Sequence, residues 1–406
     1  MLELHAMNQK KKILAINTGS SSIKFSLYET GEVEKLLCTG SLTRIGHEGG
    51  AFSVTDGHAS SLASESVAVP DHNAACAYLS NWVLKQGEAY KPDAIGHRMV
   101  HGGPRYSSPQ VVSPELIASL EELVPYAPEH LPQALKAVSQ ASKLFPGTLQ
   151  VTCFDTSFHS SMPPVARFYP LPESIRSEGV QRYGFHGLSY EYLLGELERQ
   201  GGRDVAQGRI ILAHLGHGAS MAAVKEGRSI DTTMGFSPAG GLVMSTRTGD
   251  LDPGVILFLL QQDKMSAAQI KEMVNRQSGL RGISGISDDM QVLLSMERQN
   301  LKAREAVDMF CYRAKMSIGS YAAVMGGLDT LVFSGGIGEH AAEIRGRICE
   351  GLDFLGIAVE SSRNDVSSPV ISPDGSAVTV RVIATNEELM IVRHTLAILA
   401  GTVNRP

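Results

Sequence analysis

Cysteine is scarce in this chain and is not arranged for a disulfide or metal framework. The 406 residues include five cysteines, all far apart, with no CxxC pair and no zinc-ligand spacing. Such a distribution is typical of free thiols in a reducing compartment. The sequence therefore argues against a disulfide-stapled secreted domain and predicts a cytoplasmic protein.

Long hydrophobic runs are also missing. The longest, around residues 255–260, falls far short of the roughly 20 residues that a membrane-spanning helix needs. Residues 1–12 are polar, unlike a signal peptide, and we expect the fold to begin near Lys12. A net charge of −6, with no block of lysine and arginine, argues against nucleic acid as a main partner. We expect neither a membrane nor a nucleic-acid partner.

Length and hydrophobic periodicity predict a two-domain α/β protein. A chain of 406 residues exceeds the size at which a single hydrophobic core keeps growing. Strand-like and helical stretches alternate throughout, which favours mixed sheets. The main predicted strands are 94–100, 149–154, 330–333 and 378–383. The main predicted helices are 74–84, 114–123, 132–145, 253–262, 266–274, 288–296, 301–325 and 387–399.

One sequence pattern occurs twice. Residues 13–23 read ILAINTGSSSI and residues 211–221 read ILAHLGHGASM. Each is an apolar run broken by small residues and then resumed, which predicts strand, tight loop, strand. Small residues let backbone N–H groups approach an anion. The repeat therefore suggests two similar domains that face one phosphate-bearing ligand; the alternative is two ordinary hairpins that coincide in composition.

Polar side chains gather where predicted strands end, which is where open α/β sheets bind ligands. Asn17, Ser20, Ser21, Ser22 and Lys24 suit a phosphate–metal site, although a capped turn with a solvated lysine would look the same. The loop 334–339 (SGGIGE) is a further glycine-rich cradle.

Charged residues mark four more segments. Arg98 lies in GHRMVHGG, where it could pair with an anion or be a surface arginine between structural histidines. Asp155 and His186 lie in FDTSFHSSMP and RYGFHGLS, and Arg247 in STRTGDLDPG, whose aspartates could simply form the loop. Glu387 opens the last helix; it could bind magnesium or complement the helix dipole.

Eight segments together resemble the acetate kinase family, part of the sugar kinase/Hsp70/actin superfamily. They are INTGSSSIKFSL, GHRMVHGG, FDTSFHSSMP, RYGFHGLS, HLGHGAS, STRTGDLDPG, SGGIGE and TNEEL, in the family's order. The resemblance spans about residues 13–395. It implies duplicated ribonuclease H-like α/β domains with mixed sheets around a central cleft, one formed by residues 12–157 plus 389–406 and the other by 158–388.

The resemblance also implies an activity. Family members phosphorylate acetate reversibly with ATP and Mg²⁺, with Mn²⁺ as a possible substitute, and act as homodimers. Asn17 and Glu387 would then hold magnesium, Arg98 would bind the substrate carboxylate, and Lys24, Ser20 and Ser22 would lie near the ATP phosphates. The implied catalytic residues are Asp155, His186, Arg247 and His130. The implied nucleotide contacts are His214, Leu215, Gly216, His217, Gly218, Asp289, Met290, Gln291, Gly336, Ile337, Gly338, Glu339 and His340.

Physical reasoning supports these roles and refines one of them. Phosphoryl transfer needs charge neutralisation more than covalent help, so Arg98 and Arg247 should matter most. A carboxylate substrate with a pKa of roughly 4 is already ionised at neutral pH and needs no general base. Asp155 would therefore orient either the waters of the metal or a neighbouring arginine.

The chain also departs from the family pattern. His217 and His340 stand where asparagines are usual, Gln291 where an arginine often occurs, and Tyr190 where a histidine does. Met290 is a further departure. Most lie on the nucleotide side, so the nucleotide preference stays open. Propionate or butyrate as substrate, pyrophosphate or another nucleotide as donor, and a nucleotide-binding regulator without catalysis are the alternatives.

Overall fold

The computed structural model describes residues 10–401. Residues 1–9, most of the predicted polar lead-in, and residues 402–406 lie outside the described part. The described chain forms two compact units, one of residues 10–157 and 386–401 and the other of residues 158–385. No helix within residues 10–401 combines the length and apolar character needed to cross a membrane.

The strands, in chain order, are β1 Lys12–Thr18, β2 Ser22–Glu29, β3 Lys35–Thr43, β4 Ala51–Asp56, β5 Ser61–Ser66, β6 Ala94–Met99, β7 Gln110–Val111, β8 Leu149–Phe154, β9 Arg209–Leu215, β10 Ala219–Lys225, β11 Arg228–Thr232, β12 Thr330–Ser334 and β13 Thr379–Val382.

The α-helices are α1 His72–Lys85, α2 Pro114–Glu122, α3 Leu131–Leu144, α4 Pro164–Arg167, α5 Glu173–Arg176, α6 Gly187–Gly201, α7 Arg203–Ala206, α8 Pro253–Gln261, α9 Ala267–Glu272, α10 Gly279–Ser284, α11 Met290–Met296, α12 Leu301–Met325, α13 Gly335–His340, α14 Ala342–Cys349, α15 Ser361–Asp365 and α16 Glu387–Leu399.

The first unit is built on one mixed sheet with strand order β5-β4-β3-β2-β1-β6-β8-β7. β1 pairs antiparallel with β2 and parallel with β6, and β6 pairs parallel with β8. Apolar side chains such as Leu14 and Phe25 fill the core. On β6, a side chain at Gly96 would collide with Ile391 and Thr395 of α16. This glycine therefore allows α16 to pack closely on the strands that carry the polar residues of the first unit.

The second unit repeats this arrangement in the order β11-β10-β9-β12-β13. β9 forms an antiparallel hairpin with β10 and pairs parallel with β12, which pairs parallel with β13. The hairpins of residues 13–23 and 211–221 thus occupy the same place in their two sheets, and they are not a coincidence of composition. The predicted fold class, α/β with duplicated mixed sheets, is confirmed.

The segment SGGIGE is not the loop that its glycines suggested, and that prediction is wrong. Residues 335–340 form the short helix α13 directly after β12. Gly335 turns the chain with a φ of +76°, a conformation that glycine adopts without strain. The Glu339 carboxylate accepts a hydrogen bond from the Gly335 N–H at 2.8 Å, which closes the first turn.

Two buried histidines make the stability of the fold depend on pH. His97 Nε2 lies 2.8 Å from Gln150 Oε1, and His159 Nδ1 lies 2.8 Å from Ser229 Oγ. Burial lowers the pKa of both imidazoles from 6.5 to about 4. The unfolded chain therefore takes up protons on acidification that the folded chain does not.

We expect each histidine to lower the unfolding free energy by about 1.4 kcal/mol per pH unit between roughly pH 6 and 4. Urea unfolding at several pH values measures this slope. His97→Gln should make the slope shallower, whereas His58→Asn, at an exposed site, should not. An unchanged slope in His97→Gln would contradict the prediction.

Candidate active site

Three neighbouring strands of the first unit bring a polar cluster together. Asn17 lies on β1, Arg98 on β6, and Asp155 immediately follows β8. These strands are parallel and adjacent, so their carboxyl ends meet at one edge of the sheet. Glu387 and Glu388 begin α16, which packs on the same strands. The sheet thus gathers residues that are far apart in sequence.

Arg98 is the centre of this cluster. Its Nε lies 3.1 Å from both Asp155 oxygens and its Nη2 lies 2.5 Å from Asp155 Oδ2. Its Nη1 donates to Asn17 Oδ1 at 3.0 Å and lies 3.6 Å from Glu387 Oε2. Burial alone would lower the pKa of Arg98, but the nearby carboxylates, Asp155 first, outweigh it and raise that pKa. Arg98 is therefore a buried, permanently charged group and not a surface arginine.

Asn17 joins Arg98 to the start of α16. Its Nδ2 donates to Glu387 Oε2 and to Glu388 Oε1, each at 3.1 Å. Asn386 caps the helix by accepting from the Leu389 N–H at 2.9 Å. The amide and carboxylate oxygens form a hard donor set that suits Mg²⁺. Within the described residues, no cluster of three or more His, Cys, Asp or Glu side chains forms a metal cage. Mg²⁺ does not require one, because it keeps several waters and substrate oxygens as ligands.

The other predicted residues of the first unit surround this cluster less closely. Lys24 faces Asn17 across the β1–β2 hairpin and lines a groove of about 370 Å³ together with Ser41, Ser53 and Glu388. Ser20 and Ser22 lie at the hairpin turn. His72 Nε2 lies 2.9 Å from the Gly19 carbonyl oxygen and ties this turn to α1.

The histidines of the first unit have different settings. His97 and His101 are buried, and His101 Nδ1 accepts from the Gly103 N–H at 2.8 Å. Their burial is compatible with a structural role, the alternative that the sequence offered for these two histidines. His130 is partly exposed at the residue before α3, and its side chain does not cap that helix.

In the second unit, His186 and Arg247 converge on the loop of the β9–β10 hairpin. A Cβ built on Gly218 would lie 3.2 Å from His186 Nε2 and 3.5 Å from Arg247 Nη1. The His186 ring stacks on His214 with 4.3 Å between centroids. A side chain at position 218 would crowd His186, so the glycine leaves space for both side chains beside the loop.

A pocket of about 580 Å³ opens beside this loop. Its volume lies within the range of small-molecule sites. Eight of the predicted nucleotide residues line it: Gly216, His217, Asp289, Met290, Gln291, Gly336, Ile337 and His340. Burial lowers the pKa of His217, although Asp288 opposes the shift.

Five other predicted nucleotide residues do not line this pocket. Leu215 and Gly338 are buried, and the Glu339 carboxylate is occupied by the backbone N–H groups of Gly335 and Thr385. His214 Nδ1 is bonded to Ser189 Oγ at 2.8 Å, and Gly218 faces His186. The aspartates of DLDPG form the loop: Asp250 accepts from Gly241 N–H and Asp252 caps α8.

Sequence reasoning missed several residues of these sites. Asp288, Ser245 and Leu294 also line the pocket. The position of Asp288 in the pocket lining could have been predicted from Asp289, because the two residues are adjacent and both precede the helix α11. Glu388 is not among the residues selected from the sequence, yet it accepts a hydrogen bond from Asn17. Nothing in the local sequence separates the role of Glu388 from that of Glu387.

The two repeated hairpins, the Arg98–Asp155 cluster and the open pocket at strand ends suit a nucleotide-dependent phosphotransferase. The model of the acetokinase family matches residues 12–393. Acetate kinase from Rhodopseudomonas palustris is 44% identical over 397 residues, which cover 96% of this chain and 98% of that protein.

Solved structures agree with this match. The crystal structure of Porphyromonas gingivalis acetate kinase has a TM-score of 0.86 at 40% identity and covers 96% of this chain and 100% of its own. A propionate kinase from Francisella tularensis has a TM-score of 0.89 at 33% identity, covering 95% of this chain and 99% of its own. The chain therefore belongs to the acetokinase family, and the resemblance found in its motifs is confirmed.

Proposed function

We propose that this protein is an acetate kinase, which transfers a phosphoryl group reversibly between ATP and acetate. The observation that carries the proposal is the 44% identity to an acetate kinase over nearly the whole chain. Arg98, Asp155, His186, Arg247 and Glu387 stand at the motif positions to which the resemblance assigns substrate, catalytic and metal roles. The buried Arg98 cluster and the open pocket support it physically. A regulator would need the nucleotide pocket but not the buried arginine.

Arg98 binds the acetate carboxylate in this proposal. A guanidinium has five N–H donors. Within residues 10–401, Asp155 and Asn17 accept from Nε, Nη2 and Nη1, and these hydrogen bonds leave one N–H on Nη2 and one on Nη1, which lies 3.6 Å from Glu387 Oε2. Because acetate is already ionised at neutral pH, it needs a cation and not a base. Asp155 acts as the group that holds the guanidinium plane in place.

Arg247 and His186 stabilise the charge that develops on the transferred phosphoryl group. A loose transition state spreads negative charge over the phosphoryl oxygens. Two donors that converge near Gly218 suit that charge. Lys24, Ser20 and Ser22 on the first hairpin approach the ATP phosphates, and His130 lies near the transferred group.

Asn17 and Glu387 are the residues that would hold Mg²⁺ in this proposal. When bound, the ion neutralises charge on the ATP phosphates. Mn²⁺ prefers similar oxygen donors and is a possible substitute. The nucleotide base and ribose occupy the pocket lined by Asp289 and Gln291, where the departures from the family pattern lie.

A hydroxamate assay tests the activity, because hydroxylamine converts an acyl phosphate into a hydroxamate that forms a coloured complex with Fe³⁺. Acetate, propionate and butyrate are each combined with ATP, GTP and pyrophosphate. We expect the highest kcat/KM with acetate and ATP. Preference for a longer acid or another donor would select one of those alternatives. No product with any pair would leave only the nucleotide-binding regulator.

We also propose that the enzyme is a cytoplasmic homodimer. All five cysteines are free and buried, as expected for a reducing compartment. Helix α8 has no buried residue although its sequence, PGVILFLLQ, is apolar, and Leu257 and Phe258 are 54% and 55% exposed. Apolar faces of this kind mark protein interfaces. A second copy of the chain is the partner that the family implies.

Phe258→Glu is expected to convert the dimer into a monomer, because it places a charge in an apolar interface. Sedimentation equilibrium measures the mass against 43.5 kDa for one chain. Val33→Glu is the matched control, since Val33 is an exposed apolar residue of the first unit. A monomeric wild type, or a dimeric Phe258→Glu variant, would contradict this interface.

A further inference from the structure

Beneath His186 lies a chain of two buried hydroxyl groups. His186 Nδ1 lies 2.9 Å from Ser220 Oγ, and Ser220 Oγ is hydrogen-bonded in turn to the Tyr190 hydroxyl. Ser220 and Tyr190 are both fully buried. His186 precedes α6, Tyr190 lies in the first turns of α6, and Ser220 lies on β10. These hydrogen bonds thus join α6 and β10, the helix and the strand that frame the candidate site of the second unit.

The direction of this hydrogen-bond chain follows from counting protons. Among the described residues, Ser220 Oγ is the acceptor within hydrogen-bond distance of the Tyr190 hydroxyl. A buried phenol proton needs an acceptor, so it is directed to Ser220 Oγ. Burial raises the pKa of Tyr190 above its ordinary value, so the proton stays on the phenol.

The single proton of Ser220 is then directed to His186. Its side chain has two hydrogen-bond partners in the described part of the chain, Tyr190 and His186. Since Tyr190 donates to Ser220, Ser220 donates to His186 Nδ1. A ring nitrogen that accepts a hydrogen bond is unprotonated, so a neutral imidazole carries its proton on the other nitrogen.

We propose that Tyr190 and Ser220 are positioning residues that hold His186 in the tautomer protonated on Nε2. This inference rests on the proposed function only for the catalytic use of that N–H. Nε2 is the ring atom nearest the Cβ position of Gly218, where Arg247 Nη1 also lies. His186 thereby offers its Nε2–H as a donor to developing negative charge.

Tyr190 distinguishes this protein from other members of the family, which typically carry histidine at this position. An imidazole can donate from either nitrogen, whereas a phenol has one proton on one oxygen. A tyrosine therefore fixes the direction of these hydrogen bonds, whereas a histidine would fix it in only one of its two tautomers.

Nitrogen NMR on ¹⁵N-histidine-labelled full-length protein tests the tautomer directly. The chain contains 13 histidines, so the His186 signals are identified by their loss in His186→Gln. We expect an unprotonated Nδ1 and a protonated Nε2 in the wild type, and a mixture of tautomers in Tyr190→Phe and Ser220→Ala. A proton on Nδ1 in the wild type would overturn the proposal.

Kinetics give the second readout. Tyr190→Phe should lower kcat about fivefold, the value of one neutral hydrogen bond, with KM for acetate and ATP unchanged. Tyr169→Phe is the matched control, since its hydroxyl accepts from the Phe236 N–H at 2.8 Å in the same unit but outside this chain; it should keep the wild-type kcat.

A wild-type kcat in Tyr190→Phe together with a mixed tautomer would overturn the positioning role. An increase in KM alone would likewise contradict it, because it would assign Tyr190 to substrate binding. A wild type without kinase activity would overturn the proposed function, while the NMR result would still decide the tautomer. The two failures are therefore distinguishable.

Discussion

Arg247→Ala is expected to lower kcat by about 10³ or more. The reason is that a guanidinium neutralises charge that grows on the phosphoryl oxygens in the transition state. Its Nη1 lies at the Gly218 loop beside His186 Nε2. Of these two donors, the alanine variant keeps only His186. Steady-state kinetics measure kcat, and the KM values for acetate and ATP should change much less.

We expect the loss to be catalytic and not structural, because the Arg247 side-chain contacts are weak. Its Nη1 lies 3.2 Å from the Pro238 carbonyl oxygen and 3.7 Å from Met244 Sδ. Backbone hydrogen bonds hold the segment 244–247, which carries Arg247. The Met244 N–H donates to the Arg247 carbonyl, and the Leu280 N–H donates to the Met244 carbonyl. The urea unfolding free energy should therefore change by about 1 kcal/mol or less.

Arg281→Ala is the control for the removal of a nearby positive charge. Arg281 is exposed on α10, the helix next to the segment 244–247 that carries Arg247. Its kcat should match the wild type. A near-normal kcat for Arg247→Ala would remove this arginine from the site.

Long periodic elements were predictable because their pattern is local. The bounds predicted for 149–154, 301–325 and 387–399 are those observed for β8, α12 and α16. Each has a strong apolar run or helical spacing and a clear end signal. The two hairpins were predictable for the same reason, since small residues separate two apolar runs.

Edge strands were not predictable in this way. β5 is mostly exposed and reads SLASES, without an apolar face. It is a strand because β4 supplies its hydrogen-bond partners. Helix α13 escaped prediction because Glu339 reaches back to the Gly335 N–H, and a glycine-rich sequence does not reveal that contact.

Part of the site could be predicted and part could not. The rule that ligands bind at strand ends selected Asn17, Arg98 and Asp155, and the parallel pairing of their strands brings them together. The sequence does not show which carboxylate pairs with Arg98, because Asp155 lies 57 residues further along the chain and only the side-chain geometry brings the two together. The sequence left Asp155 with two possible roles, and the observed contacts favour orientation of an arginine.

The second large effect is expected for Asp155→Asn. Asp155 is 1% exposed and Arg98 is 17% exposed, so the variant leaves a largely buried cation without its main counter-ion. Breaking a buried pair from one side costs about 3–5 kcal/mol. The new amide would also direct N–H donors at the guanidinium. Urea unfolding should register this loss of stability.

Catalysis should suffer because Arg98 is no longer held in the plane that receives acetate. We expect kcat/KM for acetate to fall by about 10² or more, since misplacing a substrate-binding group by about 1 Å costs that much. KM for ATP should be little changed. The apparent affinity for Mg²⁺ distinguishes the two roles of Asp155: a large loss would assign it to the waters of the metal, and an unchanged value would assign it to Arg98.

Asp329→Asn is a closely matched control for the loss of an aspartate from an arginine pair. Asp329 binds Arg209 through Nε, at 3.0 Å, and through Nη2, which is the same fork that Arg98 offers to Asp155. This pair is exposed, with Asp329 44% accessible, so breaking it should cost at most about 1 kcal/mol and leave the kinetics unchanged. If Asp155→Asn behaved like Asp329→Asn, the Arg98–Asp155 pair would matter no more for catalysis or stability than a half-exposed ion pair far from the site.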